Sequence, residues 1–323
     1  MLKRNLIGFF VSLFTASTAV AGNGPNGYPK EPVRFIVAFA PGGGTDLVAR
    51  LVAAELSKRI GANIVVENKG GASGTIAAQH VARAAPDGYT LLVGGSGPMV
   101  FNPIMYDNLP YDPAKDFEHV TILGSYPIVF VAGREQPFNT LRELIAYARA
   151  NPGKLNYGSA GASFQVPTEY FAAVTGISIT HVPYKGTALA AQAMMAGDIQ
   201  LLSADVGPGA PLVISGRAKA LAVTSAQRNP ILLDVPTVRE AGINDFDFSL
   251  YSAIAAPRGT PAEIVKYLQE QLHDTLHSPE VSERLKQMGI KPEGMPSGEA
   301  VARYKREIAH FKPLVERLGL KAN

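Results

Sequence analysis

The fold is decided by residues 33–56, which read VRFIVAFAPGGGTDLVARLVAAEL. The first seven residues form a β-rich run that is apolar except for Arg34, which predicts a strand buried on both faces, as in a parallel sheet. Three glycines then break the run, and the apolar residues that follow recur at the spacing of a helix. Thr45 or Asp46 is the expected N-cap of that helix. A strand, a glycine loop and a helix in this order predict an α/β fold.

The same unit recurs along the chain. Residues 64–67 predict a second strand, residues 70–74 a second glycine loop and residues 75–85 the next helix. Further strand–loop–helix units follow in the middle of the chain, where a small-residue loop occupies residues 158–163. Beyond a strand at 249–255, which returns the chain to its first domain, the pattern is helical. The sequence therefore predicts successive α/β units rather than a repeat array.

Length and composition limit the possible classes of protein. The chain has 323 residues, of which 46% are hydrophobic and 18% charged, so a disordered protein is excluded. The length suits two domains of about 150 residues each. The absence of cysteine excludes disulfides, thiolate metal sites and cysteine nucleophiles. His273 and His277 lack the glutamate of a zinc-protease helix and the other histidines are scattered, so we expect neither a metal nor a cofactor.

The N-terminus has the three parts of a secretory signal peptide. Lys3 and Arg4 form a short basic region, residues 6–14 an apolar run too short to span a bilayer, and residues 19–21 a small-residue cleavage site. Cleavage after Ala21 lowers the formal net charge from +3 to +1, because the signal carries no acid. With so little charge and no basic run, no nucleic-acid partner is expected. The mature chain is predicted to be a soluble protein of a Gram-negative periplasm.

Four small-residue loops follow predicted strands, at residues 41–46, 70–75, 95–98 and 158–163. In α/β sheets, ligands bind beyond the carboxyl ends of the strands, where such loops expose backbone N–H groups at the starts of helices. These donors favour an anion, so the loops predict a carboxylate or phosphate site. Ordinary turn chemistry explains any single loop equally well. Asp205, at another strand end, is either a ligand contact or a loop cap. A side chain at Gly43 is expected to block the ligand and to forbid the loop conformation.

Nucleotide and hydrolase fingerprints are incomplete. The first glycine loop breaks the dinucleotide pattern because position 47 is leucine, and no glycine loop continues as a P-loop. The loop at 95–98 lacks the nucleophile elbow of serine hydrolases because position 98 is proline. An exported hydrolase acting through Ser96 or Ser159 is an alternative function, against which the lack of a paired histidine also argues. We therefore expect a binding protein and not an enzyme.

Short motifs spread over the chain carry a resemblance to a known family. They include APGGGTDLVAR at 40–50, VENKGGASG at 66–74, PDGYTLL at 86–92, NYGSAG at 156–161, VPYKG at 182–186 and APRGTP at 256–261. Together they resemble the Bug-type extracytoplasmic solute receptors, the periplasmic substrate-binding components of tripartite tricarboxylate transporters. The resemblance covers nearly the whole mature chain, with the motifs in the same order.

This resemblance implies a periplasmic binding protein fold, with two doubly wound α/β domains around a ligand cleft. Domain 1 would comprise residues 22–125 and 250–323 and domain 2 residues 126–249, with hinges near 125–126 and 250–251. The implied function is capture of a small organic carboxylate (a dicarboxylate, an aromatic acid or an amino acid) for tripartite tricarboxylate-type uptake. The protein would act as a monomer that meets inner-membrane transporter subunits transiently. A ligand sensor feeding a two-component receptor is the alternative role.

The predicted ligand-binding residues are Ala40, Pro41, Gly42, Gly43, Gly44, Thr45, Ala72, Ser73, Ser96, Gly97, Ser159, Ala160, Gly161, Ser163, Phe164, Asp205 and Tyr251. Two departures from the family pattern lie near the distal side of the pocket. The loop at 162–167 reads ASFQVP where the family usually has Gly-Ser and then His-Leu, and Tyr251 is the aromatic residue nearest to a usual tryptophan. Phe164 and Tyr251 either stack on an aromatic acid or pack in the core. The identity of the ligand is therefore not carried over from the family.

Overall fold

The computed structural model describes residues 23–321, so the predicted signal peptide and its cleavage after Ala21 lie outside the described residues. Within the described range, eleven strands form two sheets, and ten α-helices accompany them. The mixed α/β fold predicted from the sequence is confirmed. The first sheet takes its strands from both ends of the chain and the second from its middle. The residue limits of the two domains remain a prediction.

The strands are β1 (Val33–Val37), β2 (Ile64–Asn68), β3 (Thr90–Gly95), β4 (Phe117–Tyr126), β5 (Ile128–Gly133), β6 (Leu155–Ser159), β7 (Ile179–Pro183), β8 (Leu201–Asp205), β9 (Ala218–Val223), β10 (Leu250–Pro257) and β11 (Lys291–Pro292). The helices are α1 (Gly44–Ile60), α2 (Thr75–Ala82), α3 (Asn102–Met105), α4 (Leu141–Ala150), α5 (Ala162–Thr175), α6 (Thr187–Ala196), α7 (Val206–Ile214), α8 (Ala262–His277), α9 (Pro279–Gln287) and α10 (Ser297–Leu318).

Both sheets combine a parallel core with antiparallel additions. The first sheet has the order β11-β4-β10-β3-β1-β2, with β1 parallel to β2 and β3 and with β10 antiparallel to β3 and β4. The second has the order β7-β6-β8-β5-β9, with β6 parallel to β7 and β8 and with β5 antiparallel to β8 and β9. We call the first sheet with α1–α3 and α8–α10 the first lobe, and the second sheet with α4–α7 the second lobe.

Two elements are not evident from the sequence. β4 pairs with β10 on one side and β11 on the other, so its place depends on strands far away in the chain. α7 contains two glycines and two prolines, residue types that disfavour helices. Contacts with β5, β8 and β9 hold α7 against the second sheet and so override its weak local preference. By contrast, the sequence pattern predicts helices over 141–150 and 297–318, and α4 and α10 begin and end at these residues.

The chain crosses between the lobes twice. β4 ends at Tyr126 and β5 begins at Ile128, and the return crossing reaches β10 at Leu250. The hydroxyl of Tyr126 lies 3.3 Å from Thr45 Oγ1 and 3.3 Å from Ser252 Oγ. The first crossing is therefore attached both to α1 and to β10, close to the place where the chain returns.

A partly buried polar cluster on α10 supports the return crossing. Glu307 accepts hydrogen bonds from Tyr251 Oη and from Arg303 Nε, each at 2.9 Å. The Arg303 guanidinium lies 4.4 Å from the centre of the Tyr251 ring, which stacks on Tyr304. Burial raises the pKa of Glu307 despite the neighbouring arginine. Arg303 therefore stabilises the charged form of the Glu307 carboxylate, which contacts β10 through Tyr251.

Replacing Arg303 with methionine should lower the free energy of unfolding by about 3 kcal/mol, because Glu307 would keep its burial and lose its cation. Urea denaturation followed by circular dichroism measures this change. Arg317→Met is the matched control, since Arg317 is exposed on the same helix, and its effect should stay within about 0.5 kcal/mol. A similarly small decrease in the free energy of unfolding in both variants would contradict the stabilising role of the cluster.

Candidate functional site

A cavity of about 800 Å³ lies between the lobes, where the parallel strands of both sheets end. The predicted ligand-binding residues that line it are Ala40, Pro41, Gly42, Gly43, Gly44, Thr45, Ala72, Ser73, Ser96, Gly97, Ala160, Gly161, Ser163, Phe164, Asp205 and Tyr251. Ser159 is fully buried and does not line the cavity. The structure therefore brings these loops together around one space, while binding of a ligand by them stays a prediction.

The first glycine loop forms the start of α1. The helix begins at Gly44 with Gly43 as its N-cap, so the prediction that Thr45 or Asp46 caps it is wrong. Gly43 has an extended backbone, with φ −79° and ψ 165°, and a Cβ added there would meet its nearest neighbour, the carbonyl oxygen of Ala40, at an ordinary 3.6 Å. The expectation that a side chain at Gly43 forbids the loop conformation is therefore also wrong. Such a side chain would only take space from a ligand.

Asp46 holds this loop from inside the first turn. Its carboxylate accepts hydrogen bonds from Gly42 N at 2.9 Å, from Arg50 Nε at 3.1 Å and from Asn68 Nδ2 at 2.8 Å. Burial alone would raise the pKa of Asp46, but the hydrogen bonds from Arg50, Gly42 and Asn68 outweigh it and lower the pKa. Asp46 is thus a buried anion that joins the loop to the end of β2.

The second glycine loop holds four consecutive residues at positive φ. The φ angles are 127° at Gly71, 45° at Ala72, 54° at Ser73 and 90° at Gly74. For Ala72 and Ser73 this left-handed conformation costs about 1–2 kcal/mol per residue, and such strain is concentrated at functional sites. Asn102 Nδ2 donates to the carbonyl oxygen of Ser73 at 3.0 Å and so supports the turn from behind.

The lobes touch directly at the edge of the cavity. Ala162 N, at the start of α5, donates to Ser73 Oγ at 3.1 Å. Gly97 faces Ser163 so closely that an added Cβ would lie 3.0 Å from Ser163 Oγ. Because these contacts involve small groups, the two lobes approach to hydrogen-bond distance around the cavity.

Asp205 makes a further contact between the lobes. It ends β8 in the second lobe, is 5% exposed, and its Oδ2 accepts a hydrogen bond from Gly44 N of the first lobe at 3.3 Å. Burial raises the pKa of Asp205 to about 6, and the N–H of Gly44 offsets only part of this effect. A carboxyl group that exchanges its proton in the mildly acidic range therefore lies beside the N-terminus of α1.

The two aromatic candidates differ in their surroundings. Phe164 lines the cavity from α5 and is 5% exposed. Tyr251 borders the cavity, but its ring belongs to the cluster with Tyr304 and Arg303, so core packing is the alternative that the structure favours for this side chain. Its backbone N–H donates to Ser96 Oγ at 3.1 Å, which gives that hydroxyl a structural partner.

Ser159 has a histidine partner, contrary to the sequence expectation. Its Oγ lies 2.8 Å from His181 Nε2. No carboxylate of the described residues is hydrogen-bonded to His181, and Ser159 is buried away from the cavity. A serine nucleophile must reach the substrate carbonyl and needs a base held by a third group. The geometry therefore does not support the hydrolase alternative at Ser159.

Several lining residues were not among the sequence candidates. They are Phe39, Gly71, Gly74, Tyr106, Tyr126, Ala162, Gln165, His181, Pro183, Tyr184, Lys185, Gly186, Thr187, Ala188, Leu189, Leu250 and Lys321. Tyr184 and Lys185 follow directly after β7, so the rule that ligands bind at strand ends points to them. Lys321 comes from the far end of the chain, and no local sequence signal connects it with the glycine loops.

Residues 23–321 contain no group of three or more His, Cys, Asp or Glu side chains placed to hold a metal ion. Within these limits, no helix has the length and apolar character needed to cross a membrane. The expectation of no metal and no cofactor stays a prediction.

Comparisons with known proteins identify similar chains. The profile of the family described as "Tripartite tricarboxylate transporter family receptor" matches residues 48–320. The structure of "R. palustris Rpa4515 with adipate" has 35% identity and a TM-score of 0.88, and the match covers 91% of this chain and 99% of that one. The periplasmic binding protein BugD has 34% identity and a TM-score of 0.85, with 91% and 99% covered. MatC (Rpa3494) from Rhodopseudomonas palustris with bound malate has 34% identity and a TM-score of 0.83, with 89% and 100% covered.

Asp205 should make the stability of the protein fall as the pH rises. Its pKa is about 3.9 in an unfolded chain and about 6 in the folded protein. The stabilisation is therefore complete below about pH 4 and is lost as the pH rises through about 6. Between about pH 4 and pH 7.5, wild type should lose on the order of 2–3 kcal/mol of unfolding free energy relative to Asp205→Asn, as measured by urea denaturation.

The matched control for this measurement is Asp198→Asn, which changes an exposed carboxylate of the second lobe. Its effect on the free energy of unfolding should stay within about 0.5 kcal/mol. A pH-independent difference between wild type and Asp205→Asn would contradict the assignment of the raised pKa to Asp205.

Proposed function

Since this chain belongs to the receptor family of tripartite tricarboxylate transporters, we propose that it captures a small organic carboxylate in the cavity between its lobes. One observation carries the proposal. The backbone N–H groups of Gly43, Ala72 and Ser73 donate to no other residue in the described part of the chain, although these residues line the cavity. A carboxylate is the acceptor that such donors favour, above all beside a helix N-terminus.

The ligands of the relatives support the same chemical class. Rpa4515 is described with adipate and MatC with bound malate, which are both dicarboxylates. Lys185 lines the cavity of this chain and provides positive charge that favours an anion, whereas the ammonium of Lys321, also at the cavity, is paired with Asp107. Dicarboxylates are therefore the first class to test, followed by aromatic acids and amino acids.

Binding would be accompanied by closure of the lobes. The proposed hinges, near residues 125–126 and 250–251, adjoin the two crossings between the sheets. The contacts of Ser73 with Ala162 and of Gly44 with Asp205 would form on closure, because each joins one lobe to the other. A ligand held by N–H groups of one lobe would thus stabilise the closed arrangement by contacting the other lobe as well.

The receptor would act in the periplasm after removal of its signal peptide, as a monomer, and would deliver the carboxylate to inner-membrane transporter subunits through a transient contact. It would bind its ligand without chemical conversion. The family membership and the buried position of Ser159 support this reading.

Isothermal titration calorimetry on refolded protein tests the function directly. Refolding removes any ligand that remains bound during purification. The panel contains adipate, malate, benzoate and aspartate, and at least one of them should release or absorb heat and raise the melting temperature. A folded, ligand-free protein that responds to no carboxylate of the panel would contradict the proposed function.

Gly97→Ala should weaken binding of the carboxylate found in this panel by roughly tenfold, because overpacking at the contact keeps the lobes apart. The added Cβ would lie 3.0 Å from Ser163 Oγ and 3.3 Å from the carbonyl oxygen of Ser73, and Gly97 is not at positive φ, so alanine brings no backbone strain. Gly298→Ala is the matched control, since a Cβ there would meet nothing within 4 Å. Calorimetry measures the affinity, and an unchanged value for Gly97→Ala would mean that binding does not need this close approach.

A further inference from the structure

Tyr157, Ser159 and His181 lie together on the second sheet. Tyr157 is paired in register with His181 across the parallel strands β6 and β7. Tyr157 and Ser159 are two residues apart on β6, so their side chains point to the same face. The imidazole centre lies 4.9 Å from that of the Tyr157 ring, and Nε2 is 2.8 Å from Ser159 Oγ. The aromatic neighbour and the hydroxyl together hold the imidazole in one orientation.

The hydroxyl of Ser159 decides which nitrogen of His181 carries the proton. Ser159 is fully buried, and its Oγ has no other hydrogen-bond partner among the described residues. A buried hydroxyl that leaves its hydrogen without an acceptor keeps the full desolvation penalty. The hydroxyl of Ser159 therefore donates to Nε2, and the proton of the neutral imidazole lies on Nδ1.

Nδ1 of His181, the nitrogen that carries the proton, remains available to donate a hydrogen bond. Across residues 23–321, Nδ1 of His181 makes no hydrogen bond, and the buried side-chain atoms without a partner are Asn102 Oδ1 and His119 Nδ1. Nδ1 of His181 is thus accessible, on a residue that lines the cavity. Burial lowers the pKa of His181 to about 4, so the ring is neutral at physiological pH.

We propose that His181 is a specificity-determining residue of the second lobe, which donates a hydrogen bond from Nδ1 to an oxygen at the distal end of the ligand while Ser159 positions it by fixing its tautomer. This inference rests on the proposed function and deepens it. The first lobe would hold one carboxylate, and His181 would require an acceptor at the other end. A methyl or ammonium group in that place offers no acceptor to the Nδ1–H.

Two substitutions of His181 separate the roles of its nitrogens. Asparagine can place its amide N–H₂ near the position of Nδ1, whereas glutamine can place its amide near the position of Nε2, in contact with Ser159. The probe is the dicarboxylate of the panel that binds wild type best, together with the monocarboxylate of equal chain length (hexanoate in the case of adipate). His181→Asn should bind the dicarboxylate within about threefold of wild type, and His181→Gln should lose about tenfold or more.

The preference for the dicarboxylate over the monocarboxylate should shrink in His181→Gln and persist in His181→Asn. His80→Gln, in an exposed position of the first lobe, is the control and should bind as wild type does. If wild type binds carboxylates and both His181 variants bind and discriminate equally well, the inference is overturned while the proposed function stands. If wild type binds no carboxylate, the proposed function fails.

A second measurement tests the tautomer without any ligand. In ¹⁵N–¹H correlation spectra of the free wild-type protein, His181 should show a protonated Nδ1 and an unprotonated Nε2. Ser159→Ala should shift the ring toward the other tautomer and weaken dicarboxylate binding several-fold, because the donor would no longer be held on the cavity side. A protonated Nε2 in wild type, or an unchanged tautomer in Ser159→Ala, would overturn the positioning role of Ser159.

Discussion

The hydrogen bonds to the carboxylate of Asp46 are the interactions on which the cavity depends. A loop of three glycines has almost no side chains to hold it, so its shape must be imposed from outside. Asp46 does this by accepting the N–H of Gly42 together with groups from Arg50 and Asn68. The loop is fixed through the N–H of Gly42, and the N–H of Gly43 remains available. The salt bridge with Arg50, at 3.0 Å, balances the buried charge.

A wall made of backbone groups also explains why the residues of the glycine loops around the cavity are small. A Cβ at Gly74 would lie 2.9 Å from Pro98 Cγ, and one at Gly44 would lie 3.2 Å from Asp205 Cγ. Such spacing leaves room for the backbone alone, so under the proposed function the donors of the first lobe would bind a carboxylate without contacting the rest of the ligand. Discrimination between carboxylates would then depend on the second lobe, where Phe164 and His181 line the cavity.

The sequence predicts the fold and about half of the residues that line the cavity, because these follow from local patterns. An apolar run, a glycine loop and an amphipathic stretch define each unit, and the rule for strand ends places the loops around one space. The N-cap of α1 is mispredicted because Asp46 uses its oxygens to bind backward to Gly42 and not to cap the helix. The partnership of Ser159 with His181 depends on the register of β6 against β7, which no local pattern encodes. Neither the helix α7 nor the position of Lys321 at the cavity is predicted from the sequence, because tertiary contacts determine both.

The contact between Asp205 and Gly44 has a consequence for which anions the cavity admits. In the closed arrangement the side chain of Asp205 is itself a carboxylate at the N-terminus of α1, where it takes the N–H of Gly44 and competes with any small anion drawn to the adjacent N–H of Gly43. A tethered group acts at a high effective concentration, in the millimolar range for short flexible links and higher when it is held in place. A small inorganic anion with few contacts elsewhere would be outcompeted. Only a molecule that spans both lobes would gain enough additional contacts to prevail, so closure itself would set a threshold against the common small anions.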